Sequence, residues 1–281
     1  MGILYATENL ITADTPLYAS TEDTIYTLEN LYNERPSKPF RFLGDRQSPR
    51  EVPEWVCVDL TEAQEVTLCA IFNHNFGGAY SAADFRLKSC DSPCSGSGAC
   101  NWSSLPSGSC NEGLLPRLVS NHRNIYKIVS CYARYFRVEI NEANNPIPQI
   151  GELFLGRYSS FSRNVHLQDG RPESPAYYMG NQETHFGQDW TSHRSTVEWE
   201  SSLVFDNLED PAVVSEMQGF LNSVQESGGR FIIIPDGDYK FCYYVVVKNY
   251  RQLAENIVYG QKRLKRWSLD LKALVEGVEI L

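Results

Sequence analysis

The sequence predicts a mainly β protein in two parts, an N-terminal jelly-roll β-sandwich and a small, β-rich α+β domain with one helix. Three observations carry this. Aromatic residues are abundant, with 16 Tyr, 13 Phe and 5 Trp in 281 residues, and they pack well on pleated surfaces. The first half alternates short apolar runs with turn clusters and shows no helical period between them. A single segment late in the chain has both a helical period and helix caps.

Taken in order, "EWVCVDL" (54–60) is the first clear strand, with Trp55, Cys57 and Asp59 on one face and Val56, Val58 and Leu60 on the other. "EVTLCAIFNHN" (65–75) follows as a second strand after a short connection, and "FRLKSC" (85–90) leads into a cysteine-rich loop. "IYKIVSCYARYFRVEI" (125–140) reads as two strands or one long bent one. Asn144, Asn145, Pro146 and Pro148 interrupt the pattern before Ile150–Leu155 resumes it. Residues 157–195 are polar and rich in turn residues, and "STVEWESSLVFDNL" then alternates as a strand. In "DPAVVSEMQGFLNSVQESGG", Asp210 suits the N-cap, Pro211 the first turn and Gly228–Gly229 the stop, so a helix is expected over about 211–227. Strands "RFIIIPDG", "KFCYYVVVKNY" and "KRWSLDLKALVEG" close the chain.

Composition excludes some functions. A net charge of −10 argues against binding a phosphate backbone, and "QKRLKRW" (261–267) reads as the wet face of a strand. No apolar run reaches the roughly 18 residues needed to span a bilayer. The start shows no secretory pattern, so synthesis and first folding in a cytoplasm are expected.

Eight cysteines stand in tension with that. Cys57, Cys69, Cys131 and Cys242 lie in apolar runs and read as small buried hydrophobes. Cys90, Cys94, Cys100 and Cys110 cluster in a Ser/Gly/Pro-rich loop (90–110) that cannot order itself by burying apolar surface. Cross-links, a metal or free thiols remain open there. Gaps of three, five and nine residues do not match the paired ligands of a zinc site, so two disulfides are expected, with three pairings open.

Catalytic patterns are missing. His74, His122, His166, His185 and His193 accompany no nucleophile elbow or metalloprotease helix, and no phosphate-binding glycine loop occurs. Of these, His185 and His193 flank Asp189 and are weighed as a metal pair, but no metal or other cofactor is expected. Carboxylates that could pair as in a glycosidase are Glu139 with Glu142, Asp206 with Asp210, and Asp236 with Asp238. The last two suit a turn better. A non-enzymatic role is expected, with candidate ligand contacts at His74, Asn75, Tyr80, Arg86 and Trp102, each of which can also be read as a packing or turn residue.

Four ordered motifs give the first half a resemblance to the discoidin-type (coagulation factor 5/8 C-terminal-like) galactose-binding domains. These are "ENLITADT…NLYNERPSKPFRF", "EWVCVDL", "LCAIFNHN" and "RYFRVEINEANNPIPQIGELFLG", with Asn33 and Phe40 where that family favours Asp and Trp. The resemblance implies a jelly roll over 1–157 and a second domain over 158–281. The second half, with "GGRFIIIPDGD", "CYYVVVKNY" and "KRWSLDL", resembles the β-rich domain of distal-tail and minor tail proteins of tailed bacteriophages. Together these imply a structural virion component at the tail tip or baseplate. Its expected partners are other tail proteins and further copies of itself in a ring, with contact to a host-surface glycan. The alternative is a carbohydrate-binding adhesin that uses the jelly-roll loops. A particle made in the host cytoplasm and working outside would also accommodate disulfides.

Overall fold

A computed structural model describes residues 3–35, 38–43, 54–75, 85–113, 124–140, 147–162, 165–168, 174–183, 189–198, 200–206, 208, 210–235, 242–248 and 266–274, without the side chains of 168, 174–183, 189–198, 200 and 266. The protein is mainly β, as its sequence predicts. In chain order the strands are β1 Leu4–Ala6, β2 Leu17–Ala19, β3 Phe40–Arg41, β4 Glu54–Phe72, β5 Phe85–Cys90, β6 Asn111–Gly113, β7 Ile125–Ile140, β8 Gln149–Ile150 and β9 Glu152–Gly156. They continue with β10 Ser159–Ser160, β11 Val165–Gln168, β12 Ser174–Glu183, β13 Asp189–Glu198 and β14 Glu200–Asp206. After helix α1 (Pro211–Glu226) come β15 Arg230–Ile234, β16 Tyr243–Val247 and β17 Arg266–Ala273.

The chain divides into two compact units, Glu8–Ser159 and Met1–Thr7 with Ser160–Leu281. Sequence reading assigned the first residues to the jelly roll. Instead β1 pairs with β15, Leu4 opposite Ile234 and Ala6 opposite Ile232, so the N-terminal strand belongs to the second unit. Three residues of strand carry too little pattern to announce a partner far along the chain.

In the Glu8–Ser159 unit, the sheet order is β2-β4-β7-β5-β6, with β9 also on β4. The sequence suggested two strands joined by a connection where β4 runs unbroken. Its register with β7 holds from Glu54↔Ile140 to Asp59↔Tyr135, breaks, resumes from Gln64↔Ala133 to Val66↔Cys131, shifts once more, and runs from Leu68↔Ile128 to Ile71↔Ile125. Residues 60–63 stand opposite Arg134 alone, and Thr61 adopts a φ of 66°. Such a bulge bends a ribbon sharply. Both halves accordingly feed one core: Val56, Val58, Phe136 and Val138 from one half meet Val66, Ile71, Ile125 and Val129 from the other. This is a sandwich made largely by folding two long strands over.

The opening and closing motifs of this unit clasp each other. Asn9 Nδ2 donates to the Leu153 carbonyl at 3.0 Å, and Asn9 Oδ1 accepts from Leu155 N at 3.1 Å and Ile11 N at 3.2 Å. Gly156 lies against this clasp, where a Cβ would come within 2.3 Å of the Glu8 carbonyl oxygen. Backbone cannot yield there as a flexible side chain would. Gly156→Ala is expected to destabilise the unit by about 1–3 kcal/mol, read as a lowered thermal midpoint.

The other unit is a seven-stranded sheet ordered β10-β1-β15-β16-β17-β14-β11. Helix α1 forms as its caps predict: Asp210 Oδ1 accepts from Ala212 N at 2.9 Å, and Gly228 and Gly229 end it with φ of 68° and 84°. Its buried stripe is Val213, Met217, Phe220, Leu221 and Val224. Phe220 meets Tyr5, Phe161 and Phe231 at ring-centroid distances of 4.9, 4.9 and 5.2 Å, so the N-terminal strand completes the helix's own core. The polar stretch read as turns also contains strand: β12 and β13 pair as a two-stranded ribbon from Ser174↔Glu198 to Glu183↔Asp189. The backbone ladder forms there without the apolar alternation that sequence reading relies on. Residues 261–265 of the basic run lie outside the described residues.

Candidate functional site

The sequence's candidate residues fall in two regions of the sandwich. His74 and Asn75 belong to the end where β4 stops. His74 is buried. Asn75 is a structural clamp: its Nδ2 donates to Ile147 O at 2.7 Å and its Oδ1 accepts from Gln149 N at 2.8 Å. Gln149 in turn is in register with Arg41, and Asp23 N donates to Arg41 O at 3.0 Å. Segments around residues 23, 41, 75 and 149 are thus laced side by side. Tyr80 lies outside the described residues.

Sequence reasoning missed a charged group at this end, a half-buried Arg41 over a buried Asp23. Asp23 Oδ2 accepts from Arg41 Nε at 3.0 Å and also from Nη2, while Asp23 Oδ1 accepts from Ile25 N at 2.9 Å. The Ile25 amide, followed by the Arg41 guanidinium, holds the Asp23 carboxyl below its ordinary range. Arg41 also stacks over the Tyr26 ring, 4.6 Å from its centroid. Ile25 and Leu43 flank this group and are 76% and 45% exposed. A rim with a carboxylate, a planar cation, an aromatic ring and apolar edges can meet both the hydroxyls and the C–H faces of a polar ring. The signal in the sequence was the Asp and Arg on either side of "NLYNERPSKPF", but only folding makes them neighbours.

Arg86 and Trp102 lie elsewhere. Arg86 on β5 donates from Nε to Asn111 Oδ1 at 2.8 Å. Trp102, within the cysteine loop, is buried, its indole N–H directed at Cys94 O at 3.4 Å. The loop covers the outer face of β4, β7 and β5, where Trp55, Arg137, Glu139 and Lys88 meet. Arg137 is 4.6 Å from the Trp55 ring and 5.3 Å from the Trp102 ring. It pairs with Glu139 at 3.0 Å, and burial lowers its pKa. Lys88 pairs with the same carboxylate and donates to Trp102 O at 2.8 Å. Glu139 is therefore committed to two cations, and its sequence partner Glu142 lies outside the described residues. Nearby, Asp59 binds Arg134 through two oxygens at 2.6 and 2.9 Å, and that contact lowers the Asp59 pKa.

The disulfides correct the sequence reading. All four loop cysteines are bonded, but only Cys90 and Cys100 to each other; Cys94 bonds Cys57 and Cys110 bonds Cys131. Cys57 and Cys131, read as buried hydrophobes, are the strand-borne halves of these links. Their alternation within strands gave the right burial but could not reveal which loop residue would lie above them. Cys69 is a buried free thiol, with burial pushing its pKa up to about 12, and Cys242 is buried as well. Ordering the residues between Cys90 and Cys110 costs about 1–2 kcal/mol each, whereas burying Trp102 supplies only about 2–3 kcal/mol. The cross-links are what make an ordered loop of this composition tenable.

The other titratable candidates have ordinary roles or are not described. Asp206 faces His166 Nδ1 at 3.3 Å, and Asp210 caps α1. His193 stands opposite Met179 in the ribbon, while His122, His185, Asp236 and Asp238 lie outside the described residues. No group of three or more His, Cys, Asp or Glu residues that could hold a metal occurs among the described residues.

No family model and no curated protein sequence matches the chain. Solved structures similar to it include the family 32 carbohydrate-binding module of Clostridium perfringens NanJ in complex with galactose, at 11% identity and TM-score 0.39, covering 56% of this chain and 99% of that one. A fucose-binding module of Streptococcus pneumoniae matches at 17% identity and TM-score 0.37, covering 53% and 95%. A Ruminococcus gnavus family 29 fucosidase in complex with fucose matches at 10% identity and TM-score 0.39, covering 54% of this chain and 27% of that chain. None of these is a tail protein. Values this low carry no argument, and the function proposed below rests on the chain's own residues.

Proposed function

We propose that the Glu8–Ser159 unit is a non-catalytic glycan-binding module whose ligand rests on the loop end around Asp23, Tyr26 and Arg41. The half-buried Arg41, stacked on Tyr26 and fixed by the buried Asp23 carboxylate, carries this reading. Together they offer fixed donors and acceptors beside an aromatic face, and the Asn75 clamp holds the neighbouring loop in place. The ordered discoidin-like motifs support the same reading, since they span this unit. Binding of the full chain to an array of galactose- and fucose-containing glycans tests it. Saturable binding is expected, and Arg41→Ala should weaken it about tenfold or more, because hydrogen bonds to a charged group are lost. An array with no saturable signal would sink the proposal.

A second reading concerns the other unit: a virion tail component, made in a host cytoplasm and assembled with other tail proteins into a ring. What supports it is that the three tail-like segments form neighbouring strands, β15, β16 and β17. Mass photometry of the full chain distinguishes a closed ring from a monomer.

A further inference from the structure

We propose that the loop between Cys90 and Cys110 is an oxidation-latched cover. When its thiols are reduced it lifts off the sandwich and bares the Trp55–Arg137 face; when they are oxidised it seals that face.

The closed loop is held by few contacts other than sulfur. Most of its backbone hydrogen bonds are local turns, such as Ala99 N to Gly96 O at 3.2 Å, Ser104 N to Asn101 O at 3.0 Å and Ser109 N to Pro106 O at 3.2 Å. These turns do not tie it to the sheet. Gly96, Gly98 and Gly108 all have positive φ and open space around them, so the segment has a large unlatched ensemble to return to. What does tie it down is Trp102, the Lys88 contact to Trp102 O, Asp91 Oδ1 accepting from Arg134 N at 3.4 Å, and the disulfides. Cys57–Cys94 spans 37 residues and fastens the loop to β4, and Cys90–Cys100 folds the loop back on its own root. The third link, Cys110–Cys131, joins the sandwich core at the loop's exit, so it anchors the hinge and not the cover.

The face beneath is unlike the sandwich core. Cys57, Cys90, Cys94, Cys100, Trp102 and Tyr135 form their own small cluster on the outer side of the sheet. The core on the inner side contains none of them, so the sandwich can persist while the cover opens. Each latch bond forms as two thiols give up two electrons and two protons to an external low-molecular-weight disulfide, which leaves as two thiols. In a reducing compartment the Arg137 cation is accessible beside Trp55, Trp102 having left with the cover; in an oxidising one it is sealed between the two indoles.

Limited proteolysis of the full chain tests this, using thermolysin, which can cut before Leu105, after treatment with dithiothreitol or with oxidised glutathione. Far-UV circular dichroism is followed in parallel. Cleavage within 91–109 is expected to accelerate about tenfold or more on reduction, with the β spectrum retained. The oxidised Cys57→Ser/Cys94→Ser chain, unable to latch, should be cut nearly as fast as the reduced parent. Equal protection of the loop in both redox states would overturn the proposal. So would loss of the β spectrum on reduction, since the disulfides would then be holding the whole sandwich.

Discussion

Glu139→Ala is expected to lower the unfolding free energy by about 3–5 kcal/mol, read as a lower urea midpoint with an unchanged slope. Glu139 is 3% exposed and is the shared counter-charge for Lys88 and Arg137, both nearly sequestered under the cysteine loop. Removing it leaves two buried cations facing each other without compensation. The indoles of Trp55 and Trp102 stabilise Arg137, but a cation–π contact is worth only about 0.5–2 kcal/mol and offers Lys88 nothing. Lys88→Met should cost distinctly less, because Glu139 retains Arg137. A loss below about 1 kcal/mol for Glu139→Ala would mean that water reaches the cluster and screens it.

Glu152→Gln is expected to stabilise the protein, and the gain should depend on pH. Glu152 opens β9 and is 2% exposed, and its Oε2 has no hydrogen-bond partner among the described residues. Burial pushes its pKa from 4.5 up to about 8. The folded state therefore holds a proton there that the unfolded chain has released, between about pH 4.5 and pH 8. Stability falls as pH rises through that window, and below it the group makes no difference. Glutamine keeps the shape and cannot ionise. The advantage of Glu152→Gln over the parent should be absent near pH 4, reach about 3 kcal/mol at pH 7, and level off above about pH 8. Thermal midpoints of both proteins across pH 4–9 give the comparison. A constant difference across that range would show that folding leaves the Glu152 pKa unshifted.

Both expectations involve residues whose neighbours could be found only in part from the chain. The alternation in "EWVCVDL" put Val56 and Val58 on one face and Trp55 and Cys57 on the other, and the two faces do feed separate clusters. Yet nothing in the spacing announced that a Ser/Gly-rich loop would roof the face that carries Trp55 and Cys57. The helix was readable to within a residue because Asp210, Pro211 and Gly228–Gly229 are local signals, acting over single turns. At the loop end, His74 and Asn75 stood out by their position at the end of an apolar run, and Asn75 serves as a clamp. Asp23 and Arg41 gave no such sign, since their meaning lies in each other.

The sequence by itself determined what is encoded over a few residues: the β character, the strand faces, the capped helix and the motifs that open and close the sandwich. Tertiary structure alone decided the bend of β4 and β7, the transfer of Leu4–Ala6 to the other unit, the partners of Cys57 and Cys131, and the meeting of Arg41 with Asp23. The reason is physical. Periodicity and capping act through backbone geometry within a turn or a strand. Pairing across long separations is fixed only when two long strands fold over a shared core and bring distant segments to the same edge.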